Sequence, residues 1–179
     1  MALLDETRNV IDALREALQR YDRLRFDELQ ARELGPPATP AELDGLEKAI
    51  GFPLPPSWKV FLSLHNGWSD FIGTSKLLST RDIGSAWVMQ RICEWEDLLE
   101  DRPSPFAGGR QPVLLGPDAS SFLLVHPETR RNDGEMAFVM YDYLEEERRF
   151  QSLLEFLKHH LSVMSALIER LEERGRDAE

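Results

Sequence analysis

The residues best suited to nucleophilic, acid–base or metal chemistry are one cysteine and four histidines. Cys93 stands among apolar and acidic neighbours, which disfavour the thiolate that a nucleophile needs. His126-Pro127-Glu128 matches half of a zinc-deaminase signature, but the other half requires two cysteines. His159 and His160 are adjacent in a helical pattern, where side chains point about 100° apart and cannot share one metal ion. His65 follows Phe61 by four positions, which is typical of a histidine at the edge of a core or near a helix end.

No signature of a known catalytic class is present. The sequence contains no Gly-x-Ser-x-Gly elbow, no phosphate-binding Gly-x-x-x-x-Gly-Lys loop and no dinucleotide-binding fingerprint. We therefore predict a protein that is not an enzyme, with no catalytic residue, no metal ligand and no cofactor.

The remaining candidates are side chains suited to binding another protein. Trp68 lies in a polar stretch after a helix stop, where its ring either packs locally or anchors a partner. Residues 94–101 contain five carboxylates and no basic side chain. Residues 145–147 are all glutamate, but Arg148 and Arg149 follow them, so a solvated turn is favoured over a partner surface. The predicted partner-binding residues are Trp68, Asp70, Glu94, Glu96, Asp97, Glu100, Asp101, Glu145, Glu146 and Glu147.

Net charge limits the class of partner. The chain has 32 acidic and 21 basic residues, giving a formal charge of −11. This charge repels a phosphate backbone, so we expect no direct binding to nucleic acid. The negative charge favours rapid encounter with a basic protein. A surface that is acidic only for solubility would give the same net charge.

The cysteine count and the apolar segments of the chain indicate whether disulfides form and in which compartment the protein is expected. A single cysteine excludes an internal disulfide and is compatible with a reducing compartment. The first residues show no basic region followed by an apolar export segment, and no apolar run is long enough to span a bilayer. We expect a cytoplasmic protein without a membrane partner.

The most distinctive segment is 51–67, Gly-Phe-Pro-Leu-Pro-Pro-Ser-Trp-Lys-Val-Phe-Leu-Ser-Leu-His-Asn-Gly. Its prolines favour a helix that begins at Pro56, because proline lacks an N–H and suits the first turn. Trp58, Phe61 and Leu62 then recur at helical spacing and are predicted to be core. Asn66-Gly67 is predicted to end the helix with left-handed residues.

This Leu-Pro…Asn-Gly segment resembles the central motif of the SUKH superfamily, the Smi/Knr-type immunity domains. The resemblance covers about residues 35–160, with a preceding helix and later strands in the same order. It implies a non-enzymatic binding module, typically a bacterial immunity protein that neutralises a cognate toxin of a toxin–antitoxin or polymorphic-toxin system. A basic, nuclease-type toxin would suit the acidic charge. The alternative is a regulatory scaffold that binds a signalling or cell-envelope partner.

The elements around this motif predict an α+β fold. Thr39 and Glu42 form a capping box for a helix that ends before Gly51. A helix over residues 81–100, capped by Thr80, and strands at 77–78, 113–115, 122–125 and 136–143 follow. The last of these strands is apolar on both faces, which indicates a strand covered on both sides. We expect a small, mainly antiparallel sheet packed with several helices, with Trp87 and Trp95 in the core.

Two further helices lie outside the resemblance. An amphipathic pattern from Leu4 to Tyr21 predicts a helix of about 18 residues, and residues 24–26 either continue it or are extended. A capping box at Ser152 and Glu155 starts a C-terminal helix of about 20 residues. We predict that the terminal helices pack on each other or on a second copy, which would give a homodimer. The predicted organisation is an N-terminal extension (1–34), a SUKH-like domain (35–160) and an extended C-terminal helix (161–179), compact as a whole.

Overall fold

The computed structural model describes residues 2–26, 30–99, 102–116, 121–142 and 145–176. The chain divides into two compact units, one formed by Met1–Ala31 with Leu154–Glu179 and the other by Arg32–Leu153. We refer to them as the terminal unit and the central unit. The whole C-terminal helix beyond Leu153 therefore groups with the N-terminal segment, whereas the sequence-based boundary lies later, at residue 161.

Within the described ranges the chain forms five α-helices and a six-stranded sheet, which confirms the predicted α+β class. In chain order the elements are α1 (Leu3–Arg25), α2 (Pro40–Ile50), α3 (Pro56–Leu64), β1 (Trp68–Ile72), β2 (Ser75–Leu77), α4 (Ala86–Asp97), β3 (Gln111–Leu115), β4 (Ser121–His126), β5 (Ala137–Asp142), β6 (Glu145–Phe150) and α5 (Leu153–Arg176).

The sheet is a meander in which every strand pairs antiparallel with the next one along the chain, in the order β1 to β6. The central pair, β4 and β5, is apolar on both faces because helices cover both faces. Phe138 of β5 packs edge-on against Trp58 of α3, and Phe122 of β4 packs against Trp95 of α4 on the opposite face. The prediction that this last apolar strand is covered on both sides is confirmed.

The α2–α3 segment forms as its sequence predicts. Thr39 accepts from the backbone N–H of Glu42, and the Glu42 carboxylate accepts from the backbone N–H of Thr39, so both bonds of the capping box are present. Gly51 closes α2 at a φ of 81°, a left-handed conformation that glycine adopts without strain. Pro56 then occupies the first turn of α3.

Three local predictions are wrong. The helix predicted over residues 81–100 begins only at Ala86, because Gly84 at a φ of 77° interrupts the preceding turn. α3 ends through His65 in an extended conformation, so Gly67 is left-handed but Asn66 is not. Residues 145–150 form strand β6 rather than a solvated turn.

In the terminal unit, α1 and α5 lie side by side. Lys158 binds Glu6 at 2.5 Å, and Arg20 binds Glu172 at 2.5 Å, so ion pairs link both ends of the contact. A groove of about 540 Å³ runs between the helices and is lined by Ala13, Ala17, Leu161 and Ile168 among others. α1 is 23 residues long and includes Leu24 and Arg25, whereas Phe26 is extended, so each of the two alternatives for residues 24–26 is correct in part.

Candidate functional site

The outward side of α4 carries an apolar and acidic surface, which we call the α4 surface. It consists of Trp87, Met89, Cys93, Glu94, Glu96, Asp97 and Leu98. On the inward side of the helix, Val88 and Trp95 are 1% and 2% exposed. These two residues are seven apart, which is two helical turns, so they fix which side of α4 faces the sheet. The opposite side of α4 is consequently turned toward solvent, while Arg91, Ile92 and Glu94 are partly covered.

Large apolar side chains are unusually exposed on the α4 surface. Trp87, Met89 and Leu98 are 40%, 48% and 64% exposed. In the described part of the central unit, every exposed large hydrophobic residue belongs to this set. Single exposed apolar residues are common, but a concentration of them, including tryptophan and methionine, is typical of a protein-binding surface.

Trp87 and Leu98 lie on the same flank of α4, with charged residues between them. The spacing 87, 91, 94 and 98 places Trp87, Arg91, Glu94 and Leu98 along one stripe. Glu94 accepts from Arg91 at 2.5 Å and from Gln90 at 2.9 Å. The exposed ring, the ion pair and the exposed leucine therefore form a continuous row along the helix.

The other two described acids of this helix lie beyond the stripe. Glu96 accepts from the Ser104 hydroxyl at 2.8 Å, and both Glu96 and Asp97 are exposed. The five carboxylates of residues 94–101 were expected to have no basic side chain nearby, but one of them, Glu94, is paired with Arg91. Glu100 and Asp101, the last two of the five, lie outside the described residues.

The Asn66-Gly67 dipeptide joins the end of α3 to two other segments. The Asn66 side chain accepts from the Thr80 backbone N–H at 2.7 Å and donates to the Thr80 hydroxyl at 2.9 Å. Its backbone N–H donates to Pro36, and the carbonyl of Gly67 accepts from the N–H of Gly35, both at 2.9 Å. Sequence reasoning treated this dipeptide only as a helix stop, because bonds between segments far apart in the chain leave no local pattern.

Comparison with known families gives a match over most of the chain. Residues 37–159 match the SMI1 / KNR4 family (SUKH-1). The chain belongs to this family. The matched segment spans the α2–α3 motif, the sheet and the beginning of α5, close to the predicted residues 35–160. A comparison with curated proteins finds no match. Membership in SUKH-1 is consistent with a non-enzymatic, immunity-type binding module.

Trp68 of this SUKH-1 chain is not available to a partner. It is 1% exposed and packs against Phe71 with ring centroids 5.0 Å apart. Local packing, one of the two alternatives that the sequence left open, is therefore correct, and the assignment of Trp68 to a binding surface is wrong. Trp87 is the reverse case, since it was predicted to be core and is exposed. Sequence reasoning missed it because Trp87 lies about 100° around the helix from Val88, on a flank whose cover depends on neighbouring elements.

The other four predicted acidic residues lie in strands. Asp70 in β1 is half-buried and has a φ of 48°, and its backbone carbonyl accepts from Arg32. Glu145, Glu146 and Glu147 are exposed in β6. Glu146 accepts two bonds from Arg149, at 3.0 and 2.8 Å, and this guanidinium lowers the pKa of the Glu146 carboxyl.

His126 has a structural environment rather than that of a catalytic or metal-binding histidine. The side chain is 2% exposed, with Nδ1 3.3 Å from a Glu128 carboxylate oxygen and Nε2 3.3 Å from the Tyr141 hydroxyl. Burial, reinforced by the charge of Arg110, lowers the pKa of His126 to about 4, so the ring is neutral at pH 7. Both ring nitrogens have partners, which leaves neither for a metal ion or substrate.

Among the described residues, no group of three or more His, Cys, Asp or Glu side chains could hold a metal ion. No helix in those same ranges has the length and apolar character needed to cross a membrane.

Proposed function

We propose that this SUKH-1 protein is an immunity-type binding module that neutralises a basic protein toxin by covering its active surface, without catalysis. The observation that supports the proposal is the α4 surface. It combines exposed Trp87, Met89 and Leu98 with acidic Glu94, Glu96 and Asp97. Apolar anchors supply most of the binding free energy at protein interfaces, and surrounding charges select the partner.

The charge of the whole molecule favours a basic partner. The formal charge of −11 attracts a protein that is itself basic because its own substrate is anionic, as a nuclease is. Long-range attraction raises the association rate, while desolvation of Trp87 and Leu98 slows dissociation. An inhibitor of a toxin made in the same cell needs both properties, and we propose that it acts in the cytoplasm.

The first test is co-expression with a candidate toxin encoded beside the gene for this protein. We expect the wild-type protein to restore growth and to co-purify with the toxin in a 1:1 complex. Trp87→Ala combined with Leu98→Ala removes two exposed anchors from the α4 surface and should abolish the rescue.

A matched control removes the same kind of surface elsewhere. Leu4 and Leu24 of α1 are 40% and 42% exposed, so replacing both by alanine deletes comparable exposed apolar area. This variant should rescue growth as the wild type does. If the α4 variant rescued growth at an equal protein level, the α4 surface would not be the binding surface. If the wild type neither bound the toxin nor rescued growth, that toxin would not be its partner.

Homodimerisation through the terminal helices stays a separate prediction. Because α1 and α5 bind each other within one chain, one of the two packing arrangements considered from the sequence is present. Analytical ultracentrifugation of a chain lacking residues 163–179 tests the other. A loss of dimer on truncation is expected if these helices join two copies, and an unchanged mass would contradict it.

A further inference from the structure

The groove of the terminal unit, which runs between α1 and α5, lies outside the segment that matches SUKH-1. The family match covers residues 37–159. The groove is lined by α1 between Ala13 and Arg20 and by α5 between Leu161 and Glu172. It is consequently a feature that the terminal helices add to the family domain.

The floor of the groove is apolar and is built partly from short side chains. Ala13 and Ala17 are four residues apart, so they lie on one face of α1, and both are half-buried. Leu161 and Ile168 line the groove from α5, with the small side chain of Ser165 between them. The groove therefore combines apolar walls with space for large side chains from another element.

The rim of the groove carries more negative than positive charge. Glu16 of α1 and Glu169 of α5 are exposed, and Glu172 is half-buried. Arg20 is the one basic side chain among the described residues that line the groove. Its guanidinium binds Glu172 at 2.5 Å, so its charge is already shared with that carboxylate. A partner that complements this rim is basic.

The shape of the groove favours a helix over an extended segment. From Leu161 to Glu172 the groove extends for about 17 Å, or three helical turns. A helix places its apolar side chains along one side at i, i+3, i+4 and i+7, which suits an elongated groove of this length. An extended peptide binds through the backbone groups of a sheet edge, whereas the walls of this groove are helices whose backbone bonds are internal.

A second copy of this chain is a poor occupant of the groove. Dimers of identical chains are usually two-fold symmetric, so that one surface meets the same surface of the other copy. Glu16 and Glu169 would then lie near the same carboxylates of the second copy, and like charges repel. The homodimer predicted from the sequence would have to use another side of the terminal helices.

We propose that the groove between α1 and α5 is a second docking site, which binds a basic amphipathic helix of a partner protein. The apolar face of that helix fills the space beside Ala13 and Ala17, and its lysine or arginine side chains lie against Glu16 and Glu169. The α4 surface takes no part in this contact, and the inference does not depend on the proposed function.

Synthetic peptides test the groove with the full-length protein. The first is a fluorescein-labelled peptide of about 18 residues, with leucines at three- and four-residue spacing and lysines elsewhere. The second has the same composition, but its leucines are spread around the helix. The third has glutamate in place of lysine. Fluorescence anisotropy should show the first peptide binding about 10-fold or more tightly than the second, and no binding of the third.

Variants of the lining residues show where the first peptide binds. Glu16→Lys with Glu169→Lys reverses the rim, and Ser165→Trp fills the groove without changing its charge. All three positions are exposed, and each variant should weaken binding about 10-fold or more. Asp44→Lys with Asp142→Lys makes the same charge change at exposed positions of the central unit and should weaken binding less than about 3-fold.

Several results would overturn the proposal. The wild type would then bind none of the peptides, or would bind the first and second equally, which would indicate attraction by charge alone. Equal weakening by the rim variant and the control, or wild-type binding by Ser165→Trp, would place the peptide elsewhere. A wild-type dimer in sedimentation velocity that Ser165→Trp dissociates would assign the groove to a second copy.

Discussion

At the scale of single residues, buried polar side chains join elements that are distant in the sequence. Ser57, near the start of α3, donates its backbone N–H to Glu135 at 2.7 Å and its hydroxyl to the other carboxylate oxygen at 2.8 Å. The same hydroxyl accepts from the N–H of Leu153 at 3.0 Å. Burial raises the pKa of Glu135, against the opposing effect of these Ser57 bonds. One serine thus connects α3, a residue two positions before β5 and the first residue of α5.

Replacing Ser57 by alanine should destabilise the protein by about 1–3 kcal/mol, because it leaves buried partners unsatisfied. Ser63→Ala on the same helix is the matched control, since the exposed Ser63 hydroxyl bonds only the nearby Val60 carbonyl. Urea unfolding should show a change below about 0.5 kcal/mol for the control. Equal midpoints for Ser57→Ala and the wild type would contradict the connecting role.

His126 predicts how stability depends on pH. Its pKa is about 4 in the folded protein and 6.5 when unperturbed, so the unfolded chain binds the proton first as pH falls. The stabilising contribution is complete above pH 6.5 and is lost between pH 6.5 and about 4, at up to about 1.4 kcal/mol per pH unit. Urea unfolding of His126→Phe over this range should show a shallower loss than the wild type. Parallel curves for the two proteins would show that His126 is not the group responsible.

Residue exposure could be predicted from the sequence where one element determines it. Trp58, Phe61 and Trp95 lie on helical stripes and are buried as expected. The exposure of Trp68 depends on how β1 packs, and that of Trp87 depends on which neighbouring elements cover its flank of α4. Neither property is encoded in local spacing, so both tryptophans were misassigned.

At the scale of secondary-structure elements, a helix boundary could be predicted from the sequence where nearby residues cap or end that same helix. Thr39, Glu42 and Gly51 define α2 by bonds and backbone angles within a few residues. β6 was missed because its exposed residues show no apolar alternation; only Phe150 at its end is buried. The start of α4 was missed because Thr80 bonds Asn66 rather than capping a helix.

Gly67 provides a test at this scale. It has a φ of 96°, and a β-carbon there would lie 3.1 Å from both the Leu77 carbonyl oxygen and the Ser79 nitrogen. Gly67→Ala should cost about 1–3 kcal/mol through backbone strain. Gly45→Ala is the control, because nothing lies within 4 Å of its β-carbon in α2. This second change should stabilise the helix by about 0.5–1 kcal/mol, and thermal melts that shift equally for both variants would contradict the account.

At the scale of the whole molecule, composition and surface must be combined to predict a partner. The charge of −11 is evident from the sequence, but it does not say where a partner binds. That information requires the orientation of α4, which places Trp87 and Leu98 beside Glu94 on an exposed flank. The class of function could be predicted from the family motif, whereas the candidate surface appears only once the sheet determines which side of α4 is covered.

The binding constant of charge-reversed proteins tests the central claim most directly. Glu94→Lys, Glu96→Lys and Asp97→Lys together reverse the α4 surface. Glu16→Lys, Glu169→Lys and Glu173→Lys make the same total change at exposed positions of α1 and α5. Isothermal titration calorimetry with the toxin identified by co-expression compares both variants with the wild type at one salt concentration. We predict a loss of affinity of about 100-fold or more for the α4 variant and only a few-fold loss for the control. Equal losses in the two variants, or none in the α4 variant, would contradict binding through the α4 surface.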